Sequence, residues 1–222
     1  MAYHPIFLDI EGKPSIVIGG GAVAERKISS LLDGGAVVTV VSPDVTAGIE
    51  AFYRSGRITL HRRPYQDGDL KGHLLAYSAT NRREVNRAVR EEAERAGVLL
   101  NVVDDPALCD FITPAVVRRG SLLVAVSTSG RSPAIARKIR GELEALFGEE
   151  YAPFLELVGA IRMKLLKKNM DSVIFNGLYA GVMDSPLLEW LRDGKVDEID
   201  AFLDNLLGDG YRPSQLGVRI GK

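Results

Sequence analysis

The sequence predicts an α/β protein: a parallel sheet wound on both faces, followed by a β-hairpin and then an all-α C-terminal region. Three observations carry this. Short apolar, β-branched runs alternate with amphipathic helical spacings as far as Val103; two β-like runs separated by only Gly120-Ser121 come next; and strand signals vanish beyond Gly148.

In chain order, Pro14–Ile18 is a buried strand stopping at Gly19-Gly20-Gly21, and Val23, Ile28, Leu31 and Leu32 mark a helix that Gly34-Gly35 closes. A second strand spans Val37–Val41. Ser42-Pro43-Asp44 breaks it, Ile49 and Phe52 mark a short helix, and Gly56 precedes a third strand at Arg57–His61. The fourth strand, Leu74–Ala79, leads to Asn81 and Glu84, spaced as an Asn capping box for a helix running to Ala96. A fifth strand, Val98–Val103, carries Asp104 and Asp105 at its carboxyl end. Phe111–Arg119 and Leu122–Ser127 then have too short a connection for a parallel crossover and read as a hairpin. Ser132 and Pro133 fit the N-cap and first position of a helix whose buried stripe is expected to be Ile135, Ile139, Leu143 and Leu146. Helical patterns fill Tyr151–Leu207, including Ile161–Lys168 and Val196–Leu207, and the tail from Gly208 reads as irregular. The expected division is 1–112, 113–149 and 150–222.

The chain has 222 residues, 28 Lys+Arg against 29 Asp+Glu, and 46% hydrophobic residues, a composition able to bury a core and lacking the whole-chain positive field of a nucleic-acid-binding protein. The single cysteine, Cys109, excludes an intrachain disulfide and points to a reducing, cytoplasmic setting; it is expected as a small buried residue, with no nearby base to make it a nucleophile. The N-terminus lacks signal-peptide character and no run of apolar residues is long enough to span a membrane. His4, His61 and His73 are isolated, so no resident metal site is expected.

Gly19-Gly-Gly21-Ala-Val-Ala24 fits G-x-G-x-x-A between a first strand and a first helix, the Rossmann-like arrangement in which backbone amides meet a pyrophosphate. The acid that usually ends the second strand and takes the ribose hydroxyls is missing; Asp44 is the nearby replacement. No Arg lies between Ser42 and Ala51 to meet a 2′-phosphate, which favours NAD over NADP. Ligands of open α/β sheets sit outside the carboxyl ends of the strands, so the expected cofactor contacts are Gly19, Gly21, Ala22, Val23, Pro43, Asp44, Ala79, Thr80, Asn101 and Val102. Asp104, on the same rim, is the candidate general base. The alternative, in which Asp104 caps a turn and Asp105 is merely solvated, stays open. Thr128, Ser129, Gly130, Arg131 and Ser132 form a turn into a helix N-terminus suited to a substrate carboxylate, with Arg118, Arg119, Arg137, Lys138 and Arg140 nearby in sequence.

Taken together, Pro5-Ile-Phe7, Val17-Ile-Gly-Gly-Gly-Ala-Val-Ala-Glu-Arg-Lys27, Ala79-Thr80, Asn101-Val-Val-Asp104, Phe111-Ile-x-Pro114 and Val124-Ala-Val-Ser-x-x-Gly-x-Ser-Pro133 resemble the dehydrogenase/ferrochelatase module of siroheme synthases, also met as a stand-alone precorrin-2 dehydrogenase. The resemblance implies NAD-dependent oxidation of precorrin-2 to sirohydrochlorin and, in many members, insertion of Fe²⁺ as a second reaction. It implies that Asp104 is the family's essential aspartate, that the Arg131 turn meets tetrapyrrole carboxylates, and that a homodimer forms through the hairpin region. Two departures stand out: Asp105 directly follows Asp104, and Thr128 replaces a serine common in bifunctional relatives. At 222 residues the chain leaves no room for the methyltransferase domain of longer synthases, so precorrin-2 is expected from another protein. A dinucleotide-sensing regulatory module is the alternative reading, and Asp104 discriminates, because a sensor needs no base at the rim.

Overall fold

The computed structural model describes residues 3–220 and divides into two compact units, with the boundary between Thr113 and Pro114. In the first unit, β1 (Pro14–Ile18), β2 (Val37–Val41), β3 (Ile58–His61), β4 (Leu75–Ser78) and β5 (Leu99–Val102) form one parallel sheet in the order β3-β2-β1-β4-β5. Its helices are α1 (Ala22–Asp33), α2 (Ala47–Arg54) and α3 (Arg83–Ala96).

Period-2 alternation in β1 explains the layering. Val17 packs with Ala24, Ile28 and Ile49 on the α1–α2 face, whereas Ile16 and Ile18 pack with Val89, Ala93 and Leu100 on the α3 face. Burial on both sides accounts for the continuous apolar character of the central strands. Register then positions the site. Ile18 pairs with Val41 and with Ser78, and Ser78 pairs with Val102, so β1, β2, β4 and β5 end in one row. Strand order reverses between β1 and β4, the point at which such sheets leave a crevice.

The expected capping box at α3 is not formed. Its N-cap is Arg82, without a side-chain cap, and Thr80 Oγ1 instead accepts from the Arg82 amide at 3.2 Å. The reason lies one turn along: buried Asn86 accepts from Ser78 Oγ (2.7 Å) and donates to the Thr80 carbonyl (3.3 Å), holding the connection extended before the helix begins. Gly97, at φ 68°, closes α3.

The second unit opens with the hairpin of β6 (Ala115–Arg119) and β7 (Leu122–Val126), antiparallel and turning at Gly120-Ser121 as expected. The first hairpin strand is shorter than its sequence suggests, and Phe111 packs edge-on against Tyr77 in the first unit, with ring centroids 5.5 Å apart. Next come α4 (Pro133–Leu146), α5 (Tyr151–Leu166), α6 (Ser172–Met183), α7 (Leu187–Asp193) and α8 (Val196–Leu207). Ser132 caps α4, accepting from the Ile135 amide at 3.3 Å. The expected buried stripe of α4 is a correction. Ile135 is 53% and Leu146 63% exposed, Ile139 is also exposed, and only Ala136 is buried, because among the described residues no element of the unit covers that face. A core of Phe154, Leu157, Ile161, Leu187, Ile199 and Leu203 holds the other helices. The tail beyond Gly208 is irregular apart from a 3₁₀ turn at Pro213–Leu216, yet it is packed: Tyr211 is fully buried in that core.

Candidate active site

The three glycines after β1 do three different things. Gly19 has φ 121°, and a Cβ there would lie 2.4 Å from the Ala79 carbonyl oxygen. A Cβ on Gly20 would lie 1.9 Å from the Asp44 carbonyl oxygen. Both are therefore glycine because the β2–α2 and β4–α3 connections press against the loop. At Gly21 nothing lies within 4 Å of a Cβ; this residue faces open space as the N-cap of α1, with no side chain capping it. The first amides of α1 are thus left for a ligand, and their dipole favours an anion.

The loop is held in place from behind. Gly20 accepts from the Thr46 amide at 3.0 Å, Thr46 Oγ1 hydrogen-bonds the Glu25 carboxylate, and that carboxylate fills the space left by Gly48. Gly19–Val23, Pro43, Asp44, Ala79 and Thr80 line a cavity of about 490 Å³. An adjoining cavity of about 640 Å³ shares Val23, Ala79, Thr80 and Asn81 and is completed by Arg83, Arg87, Asp104 and Asp105. A cradle open at Gly21, rich in amides and flanked by Asp44, fits the pyrophosphate and ribose of a dinucleotide.

Both Asp104 and Asp105 are exposed and line the larger cavity, so the structure brings both acids to the rim. Asp104 has φ 62°, a left-handed conformation that aspartate tolerates at some cost. Two anchors hold the loop there. Cys109 Sγ accepts from the Val102 amide at 3.1 Å and donates to carbonyl oxygens, while Asp110 accepts from the Leu100 amide (3.0 Å) and from Arg90 (2.6 Å). Burial pushes the Cys109 thiol up, Asp105 and Asp110 add to this, and the Val102 amide and Arg90 only partly oppose it; the half-buried Cys109 is a neutral anchor at pH 7.

Asn101 and Val102 are not brought to the cleft. Asn101 is buried with its amide on the Phe111 carbonyl at 2.9 Å, and Val102 is buried in the α3-side core, because β5 ends one residue before the rim. In the second unit the Thr128–Ser132 turn is internally bonded: Thr128 Oγ1 accepts from the Ser132 amide (3.1 Å) and donates to its carbonyl (3.0 Å), with Ser129 at φ 53° and Gly130 at φ 80°. The Arg131 guanidinium has no partner among the described residues. Arg119 is committed to the Phe147 carbonyl, and Lys138 and Arg140 pair with Glu142 and Glu144 along α4. Asn86, Arg83, Arg87 and Asp110 escaped the sequence reading; only the i, i+4 spacing of Arg83 and Arg87 on one helix hinted at them.

Among the described residues no group of three or more His, Cys, Asp or Glu is placed to hold a metal ion, and no helix is long and apolar enough to cross a membrane.

Comparison with known proteins places these features. A family model described as NAD(P)-binding matches residues 6–115, and one described as sirohaem biosynthesis protein central matches 119–146. The chain is 41% identical over 165 residues to Siroheme synthase 1 of Aeromonas salmonicida (strain A449), covering 74% of this chain and 35% of that protein. It is 36% identical over 203 residues to the siroheme synthase of Methylococcus capsulatus, covering 91% of this chain and 43% of that protein. The chain thus spans less than half the length of these curated relatives. A solved structure named "SirC, precorrin-2 dehydrogenase" superposes with a TM-score of 0.77 at 26% identity, covering 92% of this chain and 98% of that one. On the consecutive matches of both models and the agreement in fold, this chain belongs to the siroheme synthase family, matching the part that carries its NAD(P)-binding and central regions.

Proposed function

We propose that the protein is an NAD-dependent precorrin-2 dehydrogenase that forms sirohydrochlorin. The observation that carries this reading is the pairing of an amide-lined cradle open at Gly21 with an adjoining cavity rimmed by Asp104. Gly19 and Gly20 shape the cradle; Gly21, Ala22 and Val23 meet the pyrophosphate; Pro43 and Asp44 flank the ribose; and Ala79 and Thr80 floor the passage between the cavities. Bound NAD⁺ would supply the hydride acceptor. The Asp44 carboxylate would repel a 2′-phosphate, which favours NAD over NADP.

Asp104 is assigned as the base that accepts the carbon-bound proton of precorrin-2, held by its loop anchors at the mouth of the larger cavity. In a second reaction the same carboxylate would take pyrrole protons as Fe²⁺, a substrate here, enters sirohydrochlorin. The Arg131 turn offers a guanidinium to substrate carboxylates. The exposed apolar face of α4 supports a homodimer, since Ile135, Ile139 and Leu146 find no cover among the described residues.

An anaerobic absorbance trace of precorrin-2 with NAD⁺, followed by Fe²⁺, tests both steps. We expect NAD-dependent sirohydrochlorin formation; absence of a protein-dependent rate after Fe²⁺ removes the chelatase step alone. Asp104→Ala is expected to retain NAD⁺ binding and lose about 10²–10⁴-fold in oxidation rate. Unchanged turnover defeats the catalytic assignment.

A further inference from the structure

Helix α3 carries arginines of two kinds. Arg90 bonds Glu94 at 2.8 Å and Asp110 at 2.6 Å, and Arg95 bonds Asp67. The side chains of Arg83 and Arg87 have no hydrogen bond or ion pair among the described residues, although both residues line the 640 Å³ cavity beside Asp104 and Asp105. Their i, i+4 spacing sets like charges on one side of the helix, and both occupy its amino-terminal end, where the dipole is already positive. Each arrangement costs stability, and no ion pair within the described residues offsets it. Local interactions disfavour such a pair at a cavity rim, and an anion bound there would reverse the balance.

We propose that Arg83 and Arg87 form a clamp for the carboxylate side chains of the tetrapyrrole substrate and thereby select acidic macrocycles. The proposal rests on the dehydrogenase reading above. A dinucleotide phosphate is the competing anion, but the uncapped amides suited to it line the adjoining cavity, which neither arginine lines. Asp104 and Asp105 balance the two cations in charge, so recognition depends on the planar forks of the guanidinium groups rather than on net potential.

The test compares the wild type with the double variants Arg83→Gln/Arg87→Gln and Arg83→Lys/Arg87→Lys. Sirohydrochlorin and NAD⁺ serve as binding probes, and precorrin-2 oxidation supplies KM and kcat. In the Gln variant we expect the Kd for sirohydrochlorin and the KM for precorrin-2 to rise about ten- to a hundredfold, with KM moving more than kcat and NAD⁺ affinity unchanged. The Lys variant should recover part of the loss. With no partner to lose, the Tm of the Gln variant should hold or rise. An unchanged sirohydrochlorin Kd overturns the clamp, as does a loss confined to NAD⁺ affinity. A wild type that binds sirohydrochlorin through these arginines yet does not oxidise precorrin-2 defeats the dehydrogenase reading and leaves the clamp standing; one that binds no sirohydrochlorin overturns both.

Discussion

The unit ending at Thr113 and the unit beginning at Pro114 leave different kinds of surface unsatisfied. In the first, the sheet is covered on both faces and the groups left unmet beyond the carboxyl ends of the strands are polar: free amides at α1, two acids and two arginines. In the second, the polar Thr128–Ser132 turn is bonded to itself apart from the Arg131 guanidinium, and the most extended exposed feature of α4 is its apolar face. Unmet polar groups clustered at a strand end mark a small-molecule site, whereas an uncovered apolar helix face marks a protein contact.

The largest expected effect separates two neighbouring glycines in the first unit. Gly21→Asp should leave the fold intact and lower NAD⁺ affinity by more than about a hundredfold, since a carboxylate enters the pyrophosphate position. Gly20→Ala, driven against the Asp44 carbonyl, should lower stability by about 1–3 kcal/mol as well as weaken binding. Calorimetry with NAD⁺ and thermal melts would read both, and equal melts for the two variants would break the distinction drawn here.

In the second unit, Ile135→Asp combined with Leu146→Asp should convert a dimer to a monomer in sedimentation velocity. Surface substitutions of this kind cost within about 0.5 kcal/mol in a lone chain. A dimer that survives them would show that the α4 face is not its interface.

The smallest effect is expected from the loop between β3 and β4. Burial alone would raise the Asp69 carboxyl, but the fork from Arg63, at 2.8 and 2.6 Å, and the Gln66 amide outweigh it and hold it below its usual value. A depressed folded-state pKa gives stability that is present above the unfolded value, near 3.8, and lost as pH falls through the folded one. Asp69→Asn should therefore cost about 0.5–1 kcal/mol at neutral pH, with the gap in Tm closing on acidification towards pH 2. A gap that stays constant with pH would remove Asp69 from the acid response.

Much of this architecture was legible because its causes are local. β-branched runs ending in glycine, and a Ser-Pro pair opening a helix, announce their elements within a few residues. The α4 stripe misled for a physical reason: spacing reports that a face is apolar and says nothing about what covers it. The first capping site failed because Asn86, five residues beyond Asn81, competes for the same connection through its hydrogen bond to the Thr80 carbonyl. At the candidate site, Asp104 and the glycine loop could be read from strand ends. Asn101 could not be placed, since one residue of strand length decides whether a side chain meets ligand or core.

Because the Asp44 carbonyl rests on Gly20 while the residue lies exposed at the cradle, its backbone is a keystone and its side chain can be exchanged without disturbing the loop. On the proposed reading, an engineer wishing to exchange NAD for NADP has one practical handle: randomise the side chain at position 44, and leave the glycines that wedge the three crossovers together untouched.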